Sequence, residues 1–438
     1  MTTRDPSDEN QVRRSRRFKW TVLIGFALLA LATGLGVLFI PWDIKPLDTP
    51  DLDFKLPAVA PEQNAATYFE AAGKLQVTKF PRDWTELLNH GDNLQGKPFW
   101  DPAFADAVLA ANAATFAELE KGLACQKYVS APYFLDDALR SLQAKKRLEQ
   151  LLCLKSRRAQ LTEDYAGAAK SALRGWQFSV QTTNNSGVFI EWLVGESLER
   201  IALAQLEDLS ADAKTPAPIL QEIKATLEQW NPLEANTGFK QMLKGDYDWI
   251  KKQRIGDLRN RWLKKEIPAL VWMSWIPYAY KPNAVNFMFA GYSRILIANV
   301  DRPWNKTCFD YPWDLRSPGD GLDWNNLKFF ATPNCLGTLW FIQGASGVPK
   351  GISRKCGIQA LVGALRLKIA LRLYEGQHWE LPDDLNALVP KFISAIPRDP
   401  YDDQPFRYSK AEKKVWAVGS DLIDQGGLRH SPTPNTVS

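Results

Sequence analysis

The hydrophobic pattern divides the chain into an uninterrupted apolar run, a long stretch with helical periodicity and a short C-terminal stretch with strand character. The apolar run, Thr21 to Ile40, is 20 residues long and contains no charge. At the rise of an α-helix, this length matches the hydrocarbon core of a bilayer. Basic residues precede it and aspartates follow it. The positive-inside rule therefore predicts a cytoplasmic N-terminus and an extracytoplasmic remainder.

Two other interpretations of this run stay open. A cleaved signal peptide has a shorter apolar core and a small-residue cleavage site, whereas this run ends in the bulky sequence Phe39 to Trp42. The sequence SRRFK, Ser15 to Lys19, resembles a twin-arginine export signal, although an ordinary basic flank has the same composition. An uncleaved signal-anchor fits the length best, and it makes the lipid bilayer a partner through Thr21 to Ile40.

Helical periodicity extends over most of the remaining chain, after a proline-rich linker at residues 41–61. Two apolar stripes within residues 134–181, separated by TEDYAGAA, predict an αα-hairpin that resembles one TPR-like helix pair. No second copy follows at a fixed period, so the pattern predicts an irregular helical bundle. Its predicted helices lie at about 102–123, 134–160, 163–181, 188–208, 217–229 and 234–264.

Two later segments depart from this pattern. PALVWMSWIPYAY, Pro268 to Tyr280, has no charge but is too short to cross a bilayer. It is either a core segment with a proline kink or a Trp/Tyr-rich surface that contacts lipid or an envelope protein partner. Residues 301–350 are rich in Trp, Pro and Gly and predict a loop segment.

A compact α+β module is predicted at residues 351–427. Apolar residues recur every three or four positions from Ile358 to Leu373, and Gly376 stands where a left-handed cap would end that helix. LPDDLNALVP predicts a short second helix, and IPRDP an extended crossing. The runs Phe406–Ser409 and Val415–Val418 then predict a β-hairpin.

The order of these elements resembles the globular half of a type II secretion major pseudopilin. In that family a helix is followed by a turn and strand of the form lP.DPwG.pY.Y and by an lG.DG...GG tail. Here YEGQHWELPDDLNALVPKFISAIPRDPYDDQPFRY precedes VGSDLIDQGG. The same order is similar to the C-terminal end of a large group of single-anchor bacterial membrane proteins. The resemblance covers roughly residues 355–427 and implies a hairpin packed on the helix.

Two features separate the chain from a pseudopilin. In pseudopilins the apolar helix continues into the globular module, whereas about 310 residues separate Ile40 from Gly351 here. The processing site of that family carries Glu where this chain has Ala30, in GFALLA. The resemblance therefore implies the module rather than filament assembly.

Pseudopilins hold calcium in their acidic tail, and Asp421 and Asp424 stand at the corresponding positions. Calcium takes six to eight oxygen ligands, so backbone carbonyls would have to supply most of them. SDLID also lacks the Gly of the family's aDG form. Two hypotheses stay open for these residues: a calcium site, and a tight polar turn without metal.

Composition narrows the function classes. The net charge of +5 is small and dispersed, which argues against a nucleic-acid-binding protein. The 17 tryptophans are spread along the chain and are typical of packing and interface anchoring. The five cysteines show no metal-binding spacing. Cys125 and Cys153 flank a predicted helix-turn-helix and are the predicted disulfide pair, with buried thiols as the alternative.

The sequence carries no catalytic signature. It has three histidines, and HExxH, GxSxG and P-loop motifs are absent. His378 lies near Asp383 and Asp384 and is either half of a base–carboxylate pair or a loop residue that caps a helix end. We therefore predict a non-enzymatic scaffolding or binding role. The alternatives are an envelope hydrolase with an unrecognised site and a pseudopilin-like component of a secretion apparatus.

The predicted protein is mainly α, crosses the bacterial inner membrane once and has its bulk in the periplasm. Its predicted parts are a cytoplasmic basic tail (1–20), a transmembrane helix (21–40), a Pro-rich linker (41–61), a partly TPR-like helical domain (62–300), a Trp/Pro/Gly-rich loop segment (301–350), the pseudopilin-like α+β module (351–427) and a disordered tail (428–438).

Overall fold

The computed structural model describes residues 23–34, 36, 43–88, 100–130, 135–252, 276–309, 332–345 and 348–427. These residues are mainly helical, and the sheet found among them is a two-stranded antiparallel hairpin near the C-terminus, which confirms the fold class at this level. The elements are α1 (Ala65–Leu75), α2 (Pro102–Ala111), α3 (Ala113–Ala124), α4 (Leu135–Leu161), α5 (Tyr165–Asn184), α6 (Phe189–Ala211), α7 (Ala217–Gln229), α8 (Pro232–Lys252), α9 (Pro282–Asn299), α10 (Cys335–Ala345), α11 (Val348–His378), β1 (Arg407–Ser409) and β2 (Lys414–Trp416).

Polar side chains set several helix ends. Asp101 accepts a hydrogen bond from Phe104 N at the start of α2, and Asp164 accepts one from Gly167 N at the start of α5. The helix predicted at about 102–123 is two helices, because the buried Asn112 interrupts it. Its side-chain amide bonds instead to the backbone N–H and carbonyl of a residue before α2, Val77.

The described residues divide into two compact units. The larger unit takes those within Asp51–Trp249, Ser293–Arg316 and Gly347–Ser438. In it, α4, α5 and α6 pack against one another, and α11 packs on α6 and α7. The apolar cluster that these helices share is the main core of the larger unit.

A buried ion pair joins α4 to α6 in this unit. Lys145 Nζ lies 2.8 Å from Glu191 Oε1, and both side chains are almost fully buried. Tyr128 Oη and Ser130 Oγ, from the segment after α3, donate to the same carboxylate at 3.0 and 2.7 Å, and Gly187 N donates at 3.1 Å. Burial by itself would raise the pKa of Glu191, but the ammonium and these donors hold it below its usual value.

Replacing Lys145 with Met removes this ammonium and should lower the free energy of unfolding by about 3–5 kcal/mol, because the carboxylate of Glu191 loses its counter-charge inside the protein. The control is Lys146→Met at the neighbouring exposed position, which should change it by less than about 0.5 kcal/mol. Urea denaturation of both variants measures the difference. Equal midpoints would show that the ion pair does not hold α4 and α6 together.

One buried aspartate organises the C-terminal segment. Asp399, in IPRDP, is fully buried, and it accepts bonds from Tyr401 N at 2.9 Å and Val418 N at 2.7 Å. Arg407 Nη1, on β1, donates to it at 2.7 Å. These bonds hold the turn before the hairpin against β1 and against the segment that follows β2. The predicted hairpin is present, with its ends shifted by one or two residues.

The predicted separation of residues 351–427 from the helical domain does not match the packing. Leu365 and Phe406 share one apolar cluster with Leu206 of α6 and Ile223 of α7. Buried apolar residues occur on several faces of α11, so this helix needs partners on more than one side. The hairpin segment supplies one partner, and α6 and α7 supply the other.

Local boundaries also differ from prediction. α11 begins at Val348 and continues past Gly376 to His378, and the left-handed residue that follows it is Trp379. The predicted second helix is one 3-10 turn, Leu385–Leu388, too short for the pattern to reveal. The predicted loop segment 301–350 contains α10, an apolar helix without charged residues.

The smaller unit contains α10 and most of α9. Phe341 packs against Phe289 and Tyr292, with ring centroids 5.0 and 5.7 Å away. Asp43, just after the predicted transmembrane run, caps α9 by accepting bonds from Asn283 N and Ala284 N.

Residues 23–34, within the predicted transmembrane run, are helical. Among the residues that the structure describes, no helix combines the length and the apolar character needed to cross a bilayer. Several predicted features lie outside the described residues, in whole or in part. These are the basic tail, residues 21–22, 35 and 37–40 of the transmembrane run, residues 268–275 of the Trp/Tyr-rich segment, residues 310–331 of the loop segment and the C-terminal tail.

Candidate functional site

The two aspartates predicted to bind calcium lie in the turn that follows β2. Asp421 Oδ1 accepts a bond from Ile423 N at 3.2 Å, and Asp424 Oδ1 accepts one from Trp416 Nε1 at 2.8 Å. Arg407 Nε lies 3.7 Å from Asp424 Oδ2. These contacts fit the polar-turn hypothesis. Within the described residues no cluster of three or more His, Cys, Asp or Glu side chains is placed to hold a metal ion, and the calcium site stays a prediction.

The predicted disulfide is not formed in the structure. Cys125 and Cys153 both carry free thiols. The Cys125 thiol donates to Lys121 O at 3.4 Å, at the end of α3, whereas the Cys153 thiol is buried beside Glu149 in α4. The alternative of unpaired thiols describes this arrangement.

Within the part of the chain that the structure describes, His378 is not paired with a carboxylate. Its ring stacks on Tyr374, one helical turn earlier, with 4.2 Å between the ring centroids. Asp383 bonds to Lys410 at 2.8 Å, and Asp384 caps the 3-10 turn that follows it. The two carboxylates therefore serve local structure.

Two buried carboxylates have the raised pKa that is common in catalytic sites. Burial raises the pKa of Glu149 on α4 and of Glu199 on α6 to about 8. Glu149 Oε2 is buried without a hydrogen-bond partner, and Glu149 Oε1 lies where any side chain at Gly175 of α5 would overlap it. Neither carboxylate lines the groove between α5 and α7 or the cleft beside α11. They belong to the helix interfaces rather than to a substrate site.

These two carboxylates should make the protein less stable as the pH rises. Between pH 4.5 and about 8 the folded state keeps protons that the unfolded chain releases, so the free energy of unfolding falls across this window. We expect a loss of a few kcal/mol between pH 5 and pH 9, measured by denaturation at each pH, on the order of the linkage for such shifts. The double variant Glu149→Gln, Glu199→Gln should flatten the curve, and the exposed control Glu222→Gln should leave it unchanged. An equally steep curve in the double variant would contradict the assignment.

The strongest candidate for a binding site is a cleft of about 380 Å³ beside α11, which we name the cationic cleft. Lys355, Gln359, Val362, Gly363 and Arg366 line it from one face of α11. The other lining residues come from three segments of the larger unit and include four prolines, which restrict the backbone. They are Trp230, Pro232, Asn236, Asp301, Arg302, Pro303, Pro397, Arg398, Asp399, Pro400 and Asp403.

Lys355 is the least expected residue of this cleft, because its side chain is buried. Its ammonium donates to Asn236 Oδ1 at 2.9 Å and to Val300 O at 2.5 Å. Burial lowers the pKa of Lys355 below its ordinary value. Within the described residues no carboxylate forms an ion pair with it.

The sequence interpretation missed this cleft. The available signal was the presence of Lys355 and Arg366, three helical turns apart, in a helix that is otherwise apolar on several faces. Basic residues in a helix are ordinarily assigned to its solvent-exposed side. Lys368 follows this rule, because it lies on the exposed side of α11 and pairs with Glu207 there. Burial of Lys355 depends on segments distant in sequence.

The chain matches no protein-family model, and no curated protein or solved structure matches it significantly.

Proposed function

We propose that the chain is a membrane-anchored protein of the bacterial cell envelope, with its helical body outside the cytoplasm in a non-enzymatic scaffolding or binding role. The observation that supports an anchor is the helix at residues 23–34. Its large apolar side chains point in all directions around the axis and are more than half exposed. Such exposure costs free energy in water, and a bilayer removes that cost. These side chains are Leu23, Ile24, Phe26, Leu28, Leu29 and Leu31.

Two features of the larger unit support binding over catalysis. The cationic cleft is open to solvent and lined by charged groups, which suits ligand recognition. The two carboxylates whose pKa is raised most, Glu149 and Glu199, do not line that cleft, and Asp399, which does, is held in an ion pair with Arg407. A role in secretion through the pseudopilin-like segment receives less support, because that segment completes its core with α6 and α7 rather than by itself.

The anchor is tested by washing membranes from expressing cells with alkaline carbonate. Wild-type protein should stay in the membrane pellet. The double variant Leu28→Asp, Leu31→Asp should be released, because each aspartate at mid-span costs about 2.5–3.5 kcal/mol of insertion free energy. Leu161→Asp, which places the same charge at an exposed leucine of α4, is the matched control and should stay in the pellet. Release of the wild type would contradict the anchor.

The orientation is tested separately with alkaline phosphatase fused to the C-terminus, since this enzyme is active only outside the cytoplasm. Active fusions support the extracytoplasmic placement. An inactive fusion that is nevertheless retained in carbonate-washed membranes would reverse the topology and leave the anchor intact.

A further inference from the structure

We propose that the cationic cleft binds a small ligand that carries an oxyanion, phosphate or carboxylate, and that Lys355 and Arg366 contact this group. The inference names a ligand class for the binding role proposed above and rests on that role alone, not on the anchor.

The first step concerns the acidic residues of the cleft. Each of them already bonds to a cation. None can therefore neutralise Lys355, Arg302 or Arg366 without breaking an existing ion pair. Asp301 pairs with Lys240, Asp399 with Arg407, and Asp403 with Lys306 and Arg398.

The second step concerns the cations that remain. Lys355 is bonded to two neutral oxygens, and Arg302, at the exposed edge of the cleft, forms no ion pair within the described residues. Arg366 forms a long ion pair with Glu228, whose Oε1 lies 3.8 Å from Arg366 Nη2, so the charge left unpaired is that of Lys355 and Arg302. The cleft therefore keeps a surplus of positive charge, which favours an anion.

The third step concerns unused hydrogen-bond donors. Arg366 Nε and Trp230 Nε1, which both belong to lining residues, are buried without an acceptor. A buried donor without a partner costs about 1–3 kcal/mol. Lys355 can supply one more N–H, because its ammonium has three protons and two recorded acceptors. The unpaired donors of these three groups outnumber the one unpaired acceptor beside them, Glu228 Oε1, and an oxyanion would accept from the surplus.

The size of the cleft limits the ligand to a small molecule or a head group. A volume of about 380 Å³ is at the lower end of ordinary ligand sites. Trp230 and the prolines give the ligand an apolar surface beside the charged groups.

The test uses full-length protein in a neutral detergent. Isothermal titration with sodium phosphate and with sodium citrate, each against sodium chloride of equal ionic strength, should show saturable binding of at least one oxyanion. Failure of both to bind more tightly than chloride would overturn the proposal.

The variants identify the site. Lys355→Met should raise the dissociation constant at least about tenfold, as expected for loss of one charge-assisted hydrogen bond. Lys350→Met, an exposed lysine on the same helix, is the control and should bind as the wild type does. Because Lys355→Met also removes two buried hydrogen bonds, Arg302→Gln at the exposed edge is measured too. It should weaken binding about threefold, by loss of a screened charge. Unchanged binding in both Lys355→Met and Arg302→Gln would overturn the proposal.

The source of the oxyanion is distinguished with protein in vesicles. If the ligand is a lipid head group, thermal unfolding should occur at a higher temperature with phosphatidylglycerol than with phosphatidylcholine, and Lys355→Met should abolish the difference. If the ligand is a soluble anion, the two lipids should give equal midpoints while phosphate or citrate raises them. Both results support the cleft as an oxyanion site. Release from membranes in the carbonate test would contradict the anchor without affecting this result.

Discussion

The ion pair between Lys145 and Glu191 is the constraint on which the arrangement of the helical body depends. Its two residues lie on α4 and α6, which contact each other directly and both pack on α5. The same carboxylate also receives bonds from Tyr128 and Ser130. Since a buried carboxylate is tolerated when its charge and lone pairs are satisfied, one correct arrangement of these segments is favoured over the alternatives. The apolar residues supply most of the driving force, but they do not distinguish neighbouring registers in this way.

The second organising element is α11, which carries both the main core and the cationic cleft. Apolar residues on several of its faces pack on α6, on α7 and on the hairpin segment. The remaining strip, with Lys355 and Arg366, is partly enclosed because the turn held by Asp399 lies beside it. The packing that completes the core therefore also takes two cations out of bulk water. Binding capacity in this unit is a consequence of how the C-terminal segment closes on the helices.

Much of the fold was predictable from local patterns, and the site was not. Periodicity placed α4 to α7 within a few residues, since an amphipathic helix shows its own buried stripe. The helix boundary at Asn112 was missed because it depends on a contact with Val77, which is distant in sequence. The continuation of α11 past Gly376 was missed because the left-handed residue that follows the helix is Trp379, not a glycine. The packing of the C-terminal segment on α6 and α7 was missed for the same reason. An apolar stripe shows that a helix face is buried, but not which segment covers it. The burial of Lys355 was not predictable from the pattern either, because Asn236 and Val300, which bond to it, are distant in sequence.

Two kinds of buried ionisable group in the larger unit differ in a way that bears on function. Glu149 and Glu199 can relieve the cost of burial by taking up a proton, and their pKa near 8 allows this at neutral pH. Arg366 has no such route, because a guanidinium stays charged under all ordinary conditions. Its Nε–H and the indole N–H of Trp230 have no acceptor within the described residues. A helix interface can therefore keep its carboxylates neutral with protons alone, whereas the cationic cleft retains a charge that a bound anion would neutralise.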